Sequence, residues 1–167
     1  MNNKKLIIRA EWIKEPKIHD FHEELSLKDI KQLLREYSEL ENLLDEEIFI
    51  FIENEDEEVT EINFKETIKK FEKHRFHGHR CKKIDVEVIY NGQEYCREFN
   101  PATTRGKIMH WLGKELNFTS GEMMHHELRV DSITGEKIND DMHLGIFIKY
   151  PQCKIRLFLV PKDRFEG

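Results

Sequence analysis

The residues whose types and placement could support chemistry begin at the end of the chain. Gly167 has no Cβ, so its carboxylate can enter a narrow channel and be activated where any side chain would clash. It closes a short polar segment, residues 162–167, which leaves an alternating apolar run, residues 154–160. Two readings of that segment are open: a frayed terminus of no consequence, or a substrate offered to another protein's active site.

Other clusters carry weaker chemistry. His74, His77, His79 and Cys81 are zinc-ligand types, and on a strand the last three would share one face. A zinc site joins ligands from two places in closed geometry, and no second pair is evident, so no metal is expected. A structural strand across a domain junction is the better reading. The acidic run from Glu53 to Glu61 lacks the glycine and the ligand spacing of a calcium loop, and reads as a solvated connection. His125 and His126 are adjacent and point apart. Cys81, Cys96 and Cys153 are an odd number at wide spacings, which fits inert thiols in a reducing cytoplasm. There is no phosphate-cradling glycine loop, no HExxH and no GxSxG.

The bulk properties agree with a soluble, globular chain. Charged residues make up 36% and hydrophobic ones 38% of 167 residues, with a net charge of −6. Neither half is basic, so a nucleic-acid surface is not expected. No apolar run is long enough to span a membrane, and residues 1–8 carry no signal-peptide pattern.

The elements that must position the tail follow from periodicity. Residues 5–13 read as a strand with Leu6, Ile8, Ala10 and Trp12 on one face. Glu15-Pro16 is expected to turn the chain, with a short strand over 17–22. Ser26 and Asp29 mark a capping box for a helix over 27–40. Residues 48–52 form a β-branched and aromatic run expected to be a central strand buried on both faces. Residues 84–90 alternate, Asn91-Gly92 signals a tight hairpin, and residues 93–99 return. Thr103 or Thr104 caps a second helix whose apolar face is Ile108, Trp111, Leu112 and Leu116, with Gly113 expected to allow close approach to the sheet. Leu128 and Val130 mark a strand, Thr134-Gly135 a turn, and residues 144–148 an apolar knot. In the last strand Ile155, Leu157 and Leu159 face the core, and Pro161 is expected to end the pairing because it has no N–H.

Both halves share one order: strand, strand, capped helix, strand, irregular apolar loop, strand. Ser26 and Thr104 are offset by 78 residues, Lys5 and Ile84 by 79, and Ile48 and Leu128 by 80. Such a steady offset implies two copies of one unit, each small enough to benefit from packing on the other.

That order, ending in a strand that runs into a glycine, resembles the β-grasp fold of ubiquitin. Tandem copies with one free tail resemble the interferon-induced two-domain modifiers of vertebrates. Three motifs bring the chain closer to the bacterial ubiquitin-like proteins of Bil antiphage operons. They are His79-Arg80-Cys81 leading into residues 84–92, residues 98–104 leading into the Trp111 helix, and the ending from Leu159 to Gly167. Unlike ubiquitin, the chain has a single terminal glycine, preceded by Glu166.

The resemblance implies an α+β protein of two tandem ubiquitin-like β-grasp domains, each a mixed sheet curled around one helix. Residues 1–82 would be the first domain, 83–161 the second, and 162–167 a flexible conjugation tail. It implies a cytoplasmic substrate rather than an enzyme, needing no cofactor, and conjugated through Gly167 in antiphage defence. Its partners would be an activating enzyme that adenylates Gly167, a conjugating enzyme, a deconjugating metallopeptidase, and a lysine of a target protein, phage proteins included. In the tail Asp163, Arg164 and Glu166 would supply charge-assisted hydrogen bonds, and Phe165 an apolar anchor. The alternative is a non-covalent adaptor that holds a partner on its sheet faces or edges.

Overall fold

The computed structural model describes residues 4–21, 25–37, 48–53, 59–61 and 75–163. The first half contains β1 (Lys4–Ala10), β2 (Ile13–Phe21), α1 (Leu27–Tyr37), β3 (Phe49–Glu53), β4 (Val59–Glu61) and β5 (Arg75–His79). Its sheet runs β2-β1-β5-β3-β4, with β1 and β5 parallel and every other pair antiparallel. The second half contains β6 (Ile84–Tyr90), β7 (Gln93–Phe99), α2 (Arg105–Glu115), α3 (Ser120–Met124), β8 (His126–Val130), a 3-10 turn (Leu144–Phe147) and β9 (Lys154–Pro161). Its sheet runs β7-β6-β9-β8, again with one parallel pair, β6 with β9. The two sheets are the same arrangement twice, β4 being an extra edge on the first. The tandem mixed-sheet α+β architecture expected from the sequence is therefore the one observed.

Each helix exists because it closes its sheet. Ser26 Oγ accepts the Asp29 N–H at 3.2 Å while Asp29 Oδ2 accepts the Ser26 N–H at 2.7 Å, so α1 starts with two of its free donors satisfied. Leu27, Ile30, Leu33 and Leu34 then bury against Leu6, Ile8, Ile50, Ile52 and Phe76. Gly78 in the middle strand makes room for this: a Cβ there would lie 2.5 Å from Leu34 Cδ1. In the second core Ile108, Trp111 and Leu112 of α2 lie over Ile84, Val86, Val88, Leu128, Leu157 and Leu159. Each such side chain, removed from water, contributes roughly 1.5–3 kcal/mol.

Several sequence expectations are corrected. The first hairpin turns at Glu11-Trp12, not at Glu15-Pro16, and β2 runs through Pro16, which an edge strand beside a β-bulge tolerates. Trp12 is therefore not on the core face of β1; its φ is 61° and it is 55% exposed. The middle strand of the first sheet is β5, although β3 is buried on both faces as expected. α1 is described to Tyr37, so its expected last turn, 38–40, lies outside the described residues, as do His22 and His74. Gly113 approaches α3 rather than the sheet, its would-be Cβ 3.2 Å from Met123 Cγ. Pro161 does not end the ladder: it pairs with His126, and the next amide, Lys162 N–H, donates to His125 O at 2.8 Å.

Two further corrections concern reactive side chains. Cys81 and Cys153 form a disulfide, so two of the three thiols expected to stay reduced are oxidised, and Cys96 is free and exposed. Glu53 is not part of a solvated run; it is buried at the junction of the two halves. Among the described residues no helix is long and apolar enough to cross a membrane.

Candidate functional site

The second sheet presents its helix-free face beside the point where the chain leaves β9. Alternation sends Ile155, Leu157 and Leu159 inward under α2, so Phe158 and Val160 face outward. Pairing sets Phe158 between Ile89 of β6 and Arg129 of β8, and sets Val160 opposite Glu127. A groove of about 680 Å³ follows this row, lined by Ile89, Tyr90, Ile133, Phe158, Val160 and Asp163 among others. Ile133 is 64% exposed at its rim.

Cations along one side are fixed by a buried carboxylate. Glu127 Oε1 accepts from Arg129 Nε at 2.9 Å, and Glu127 Oε2 lies 3.0 Å from Lys137 Nζ. Burial alone would raise the Glu127 pKa, but the bonds to Lys137 and Arg129 outweigh it and hold the carboxyl below its ordinary value. Arg129 also donates to Gly135 O at 3.1 Å, tying the β8 turn to the same group. One row along, Arg156 pairs with Glu87 at 2.8 Å on the open sheet.

Of the residues singled out in the tail, Asp163 is exposed and lines this groove. Arg164, Phe165, Glu166 and Gly167 lie outside the described residues. The last described backbone tie is therefore Lys162 N–H to His125 O, at the groove's edge.

The corresponding face of the first sheet is not open. Alternation turns Arg9, Glu11, Phe51, Glu53, His77 and His79 away from α1, and all six are buried. They are covered by the second half's 3-10 turn and its approaches. Glu53 Oε2 lies 2.7 Å from His143 Nε2, His143 Nδ1 lies 3.2 Å from His77 Nδ1, and His79 Nε2 lies 3.1 Å from Ile148 O. Glu11 takes a bidentate bond from Arg80, at 2.8 and 2.9 Å, and the Tyr150 N–H at 2.7 Å. Gly145 is required here, since a Cβ would sit 2.3 Å from His77 Nε2.

The contacts assign every proton in this cluster. The ionised Glu53 accepts the Nε2–H of a neutral His143, whose Nδ1 then accepts the Nδ1–H of His77. Cys81 N–H donates to His79 Nδ1 at 2.8 Å, so His79 carries its proton on Nε2, toward Ile148 O. Burial lowers the pKa of His77, His79 and His143 below the ordinary 6.5, more than Glu11 and Glu53 raise those of His79 and His143. Burial would raise the Glu53 pKa, yet its His143 bond keeps the carboxyl below the usual value.

The histidine segment is thus the junction strand expected from the sequence. Cys81 is tied instead to Cys153, and among the described residues no group of three or more metal-ligand types is placed to hold an ion. What the sequence reading missed was Glu11, Glu53 and His143 as partners of those histidines, with Arg9 buried beside them. A signal was present: Arg9 and Glu11 alternate with Ile8 and Ala10, as Glu53 follows Ile52, on a sheet expected to bury both faces of β3.

Residues 85–162 match the family described as BilA ubiquitin-like domain 2. Among solved structures, the chain is similar to a designed protein based on ubiquitin, at 13% identity and a TM-score of 0.40, covering 52% of this chain and 96% of that one. It is also similar to the ubiquitin of Caldiarchaeum subterraneum, at 12% identity and a TM-score of 0.38, covering 48% and 95%. No curated protein matches the chain.

Proposed function

We infer that this chain is a tandem ubiquitin-like protein of the Bil type, from the match of residues 85–162 to BilA ubiquitin-like domain 2 and the sheet order repeated in both halves. We propose that it is a protein modifier, joined through the carboxylate of Gly167 to lysines of target proteins in bacterial antiphage defence, and that its partners, not the chain itself, supply the catalysis. The observation that carries this reading is the exit of β9. After Lys162 the chain leaves the ladder at the surface, with Asp163 exposed beside an apolar groove. A tail starting there can extend into a partner's active site while the groove is held by the same partner.

The chemistry asks little of the tail. A carboxylate oxygen of Gly167 attacks the α-phosphate of ATP on an activating enzyme, and pyrophosphate leaves. A cysteine thiolate then displaces AMP to form a thioester. After transfer to a conjugating enzyme, the amine of a target lysine displaces the thiolate, leaving an isopeptide bond and releasing one proton. A metallopeptidase hydrolyses that bond. A residue with a Cβ in place of Gly167 would crowd the carbonyl at each attack.

Incubation with the cognate activating enzyme and ATP is expected to give a thioester that collapses with reducing agent. Deletion of Gly167, or Gly167→Phe, is expected to abolish it, and conjugates that persist in either variant would overturn the reading. The second reading, a non-covalent adaptor of the cytoplasm, is favoured by the exposed Ile133 and the half-buried Phe158 and Val160 along the groove. It is distinguished by a partner that stays bound equally well to the chain lacking Gly167.

A further inference from the structure

On the helix-covered side of the second sheet, α2 and α3 enclose a groove of about 700 Å³. Its apolar floor and wall are Met109, Met123, Met124 and Phe118. Met109 and Met123 are buried, whereas Met124 is 70% exposed and reaches no core. Gly113 sets the floor, because the missing Cβ lets Met123 lie against α2. Met109 and Gly113 are four residues apart, so they form one stripe along the helix, and His110 and Lys114 form the next.

The charge around this groove is one-sided. Arg105, His110 and Lys114 line it along α2, Asn117, Thr119 and Ser120 complete it, and no carboxylate is among the lining residues. The carboxylates of the two helices are engaged elsewhere: Glu115 accepts from Trp111 Nε1 at 3.2 Å, and Glu122 accepts the Thr119 N–H at 2.6 Å as the cap of α3. Arg105 leans out to Asp140, which is itself 83% exposed. Arg105 is thus already matched, and the positive charge left facing the methionine-lined trough is that of Lys114, in a chain of net charge −6.

We propose that the groove between α2 and α3 is a docking site for an acidic amphipathic segment of a partner protein. Its apolar side chains would enter between Met109, Met123 and Met124, and its carboxylates would meet His110 and Lys114. Methionine suits this use: an unbranched, polarisable side chain refits to differently shaped anchors at small conformational cost. This site and the groove by Asp163 have different linings but adjoin, since Phe118 of the one packs edge-on against Tyr90 of the other with ring centroids 5.8 Å apart.

The test uses the full chain carrying 13C-methyl methionine and a synthetic amphipathic helical peptide, leucines on one face and glutamates on the other. A peptide with lysines in place of the glutamates is the comparison. The acidic peptide is expected to shift the methyl signals of Met109, Met123 and Met124 saturably and to leave Met142, which does not line the groove, unmoved. Lys114→Glu combined with His110→Glu, both exposed positions, is expected to weaken the acidic peptide at least about tenfold, the scale of one lost charge-assisted contact. Equal shifts with both peptides, shifts confined to Met142, or affinity unchanged in the charge-reversal variant would each overturn the proposal.

Discussion

Acidification should loosen the junction between the two halves, and its size follows from the proton assignment. His77, His79 and His143 are each held neutral in the fold, chiefly by burial, with pKa values below 6.5. His77 faces His143, His79 and Arg9; His143 faces Glu53, Arg9 and Arg75; His79 faces Glu11 and Arg80. A second proton on His77 would go to Nε2, a buried atom with no acceptor. One on His143 would set two N–H groups against each other across 3.2 Å. Unfolded, all three take up protons as pH falls through about 6.5, while the fold, with its lowered values, takes them up only at lower pH. The sign is therefore fixed: stability is complete above about pH 6.5 and is lost as pH falls toward the depressed folded values. Each histidine that stays neutral in the fold contributes about 1 kcal/mol between pH 6.5 and 5.5, so the three together contribute at most about 3 kcal/mol. That is a large share of the ~5–15 kcal/mol of an ordinary domain. Urea unfolding from pH 7.5 to 5.5, followed by tryptophan fluorescence, measures it, with Trp12 at the junction and Trp111 in the second core. His77→Gln with His143→Gln should reduce the slope to the contribution of His79 alone. A midpoint that does not move with pH, or a double variant with the full slope, would refute the reasoning.

Other outcomes follow from the same contacts. Gly145→Ala should cost about 1–3 kcal/mol, the range for overpacking, because the added methyl meets His77 Nε2 at 2.3 Å and the junction must open; equilibrium unfolding checks this. Gly78→Ala should cost a similar amount through Leu34, and should leave the pH slope unchanged, since Leu34 is on the other face of the sheet. Cys81→Ser with Cys153→Ser should lower stability by up to about 4 kcal/mol, the loop-closure value for residues 72 apart, seen as a lower midpoint in denaturant. Phe158→Asp on the outer face should leave the melting temperature within a few degrees of the parent while weakening capture by the activating enzyme, measured as thioester yield at limiting enzyme.

Local pattern accounts for much of the fold. The alternation of Ile84, Val86 and Val88, the Asn91-Gly92 turn with both φ values positive, the Ser26 cap and the inward row of Ile155, Leu157 and Leu159 all stand as the residues imply. These are short-range choices, each set by dihedral preference or by a single face to bury. The repeat was legible for the same reason, since two similar patterns recur at a near-constant offset.

What the sequence determined by itself is a pair of strand-and-helix units ending in a strand that delivers a glycine tail. What the tertiary structure alone decided is which sheet face remains open and where buried charge is matched. Glu53 and His143 are 90 residues apart, Arg80 and Glu11 69, and Cys81 and Cys153 72. No periodicity connects such positions, because their meeting depends on how one sheet is laid against the other's 3-10 turn. Arg9, Glu11, Glu53, His77 and His79 have the composition of a solvated face. They become an interior only because the second half covers them and supplies a partner for most of their polar groups.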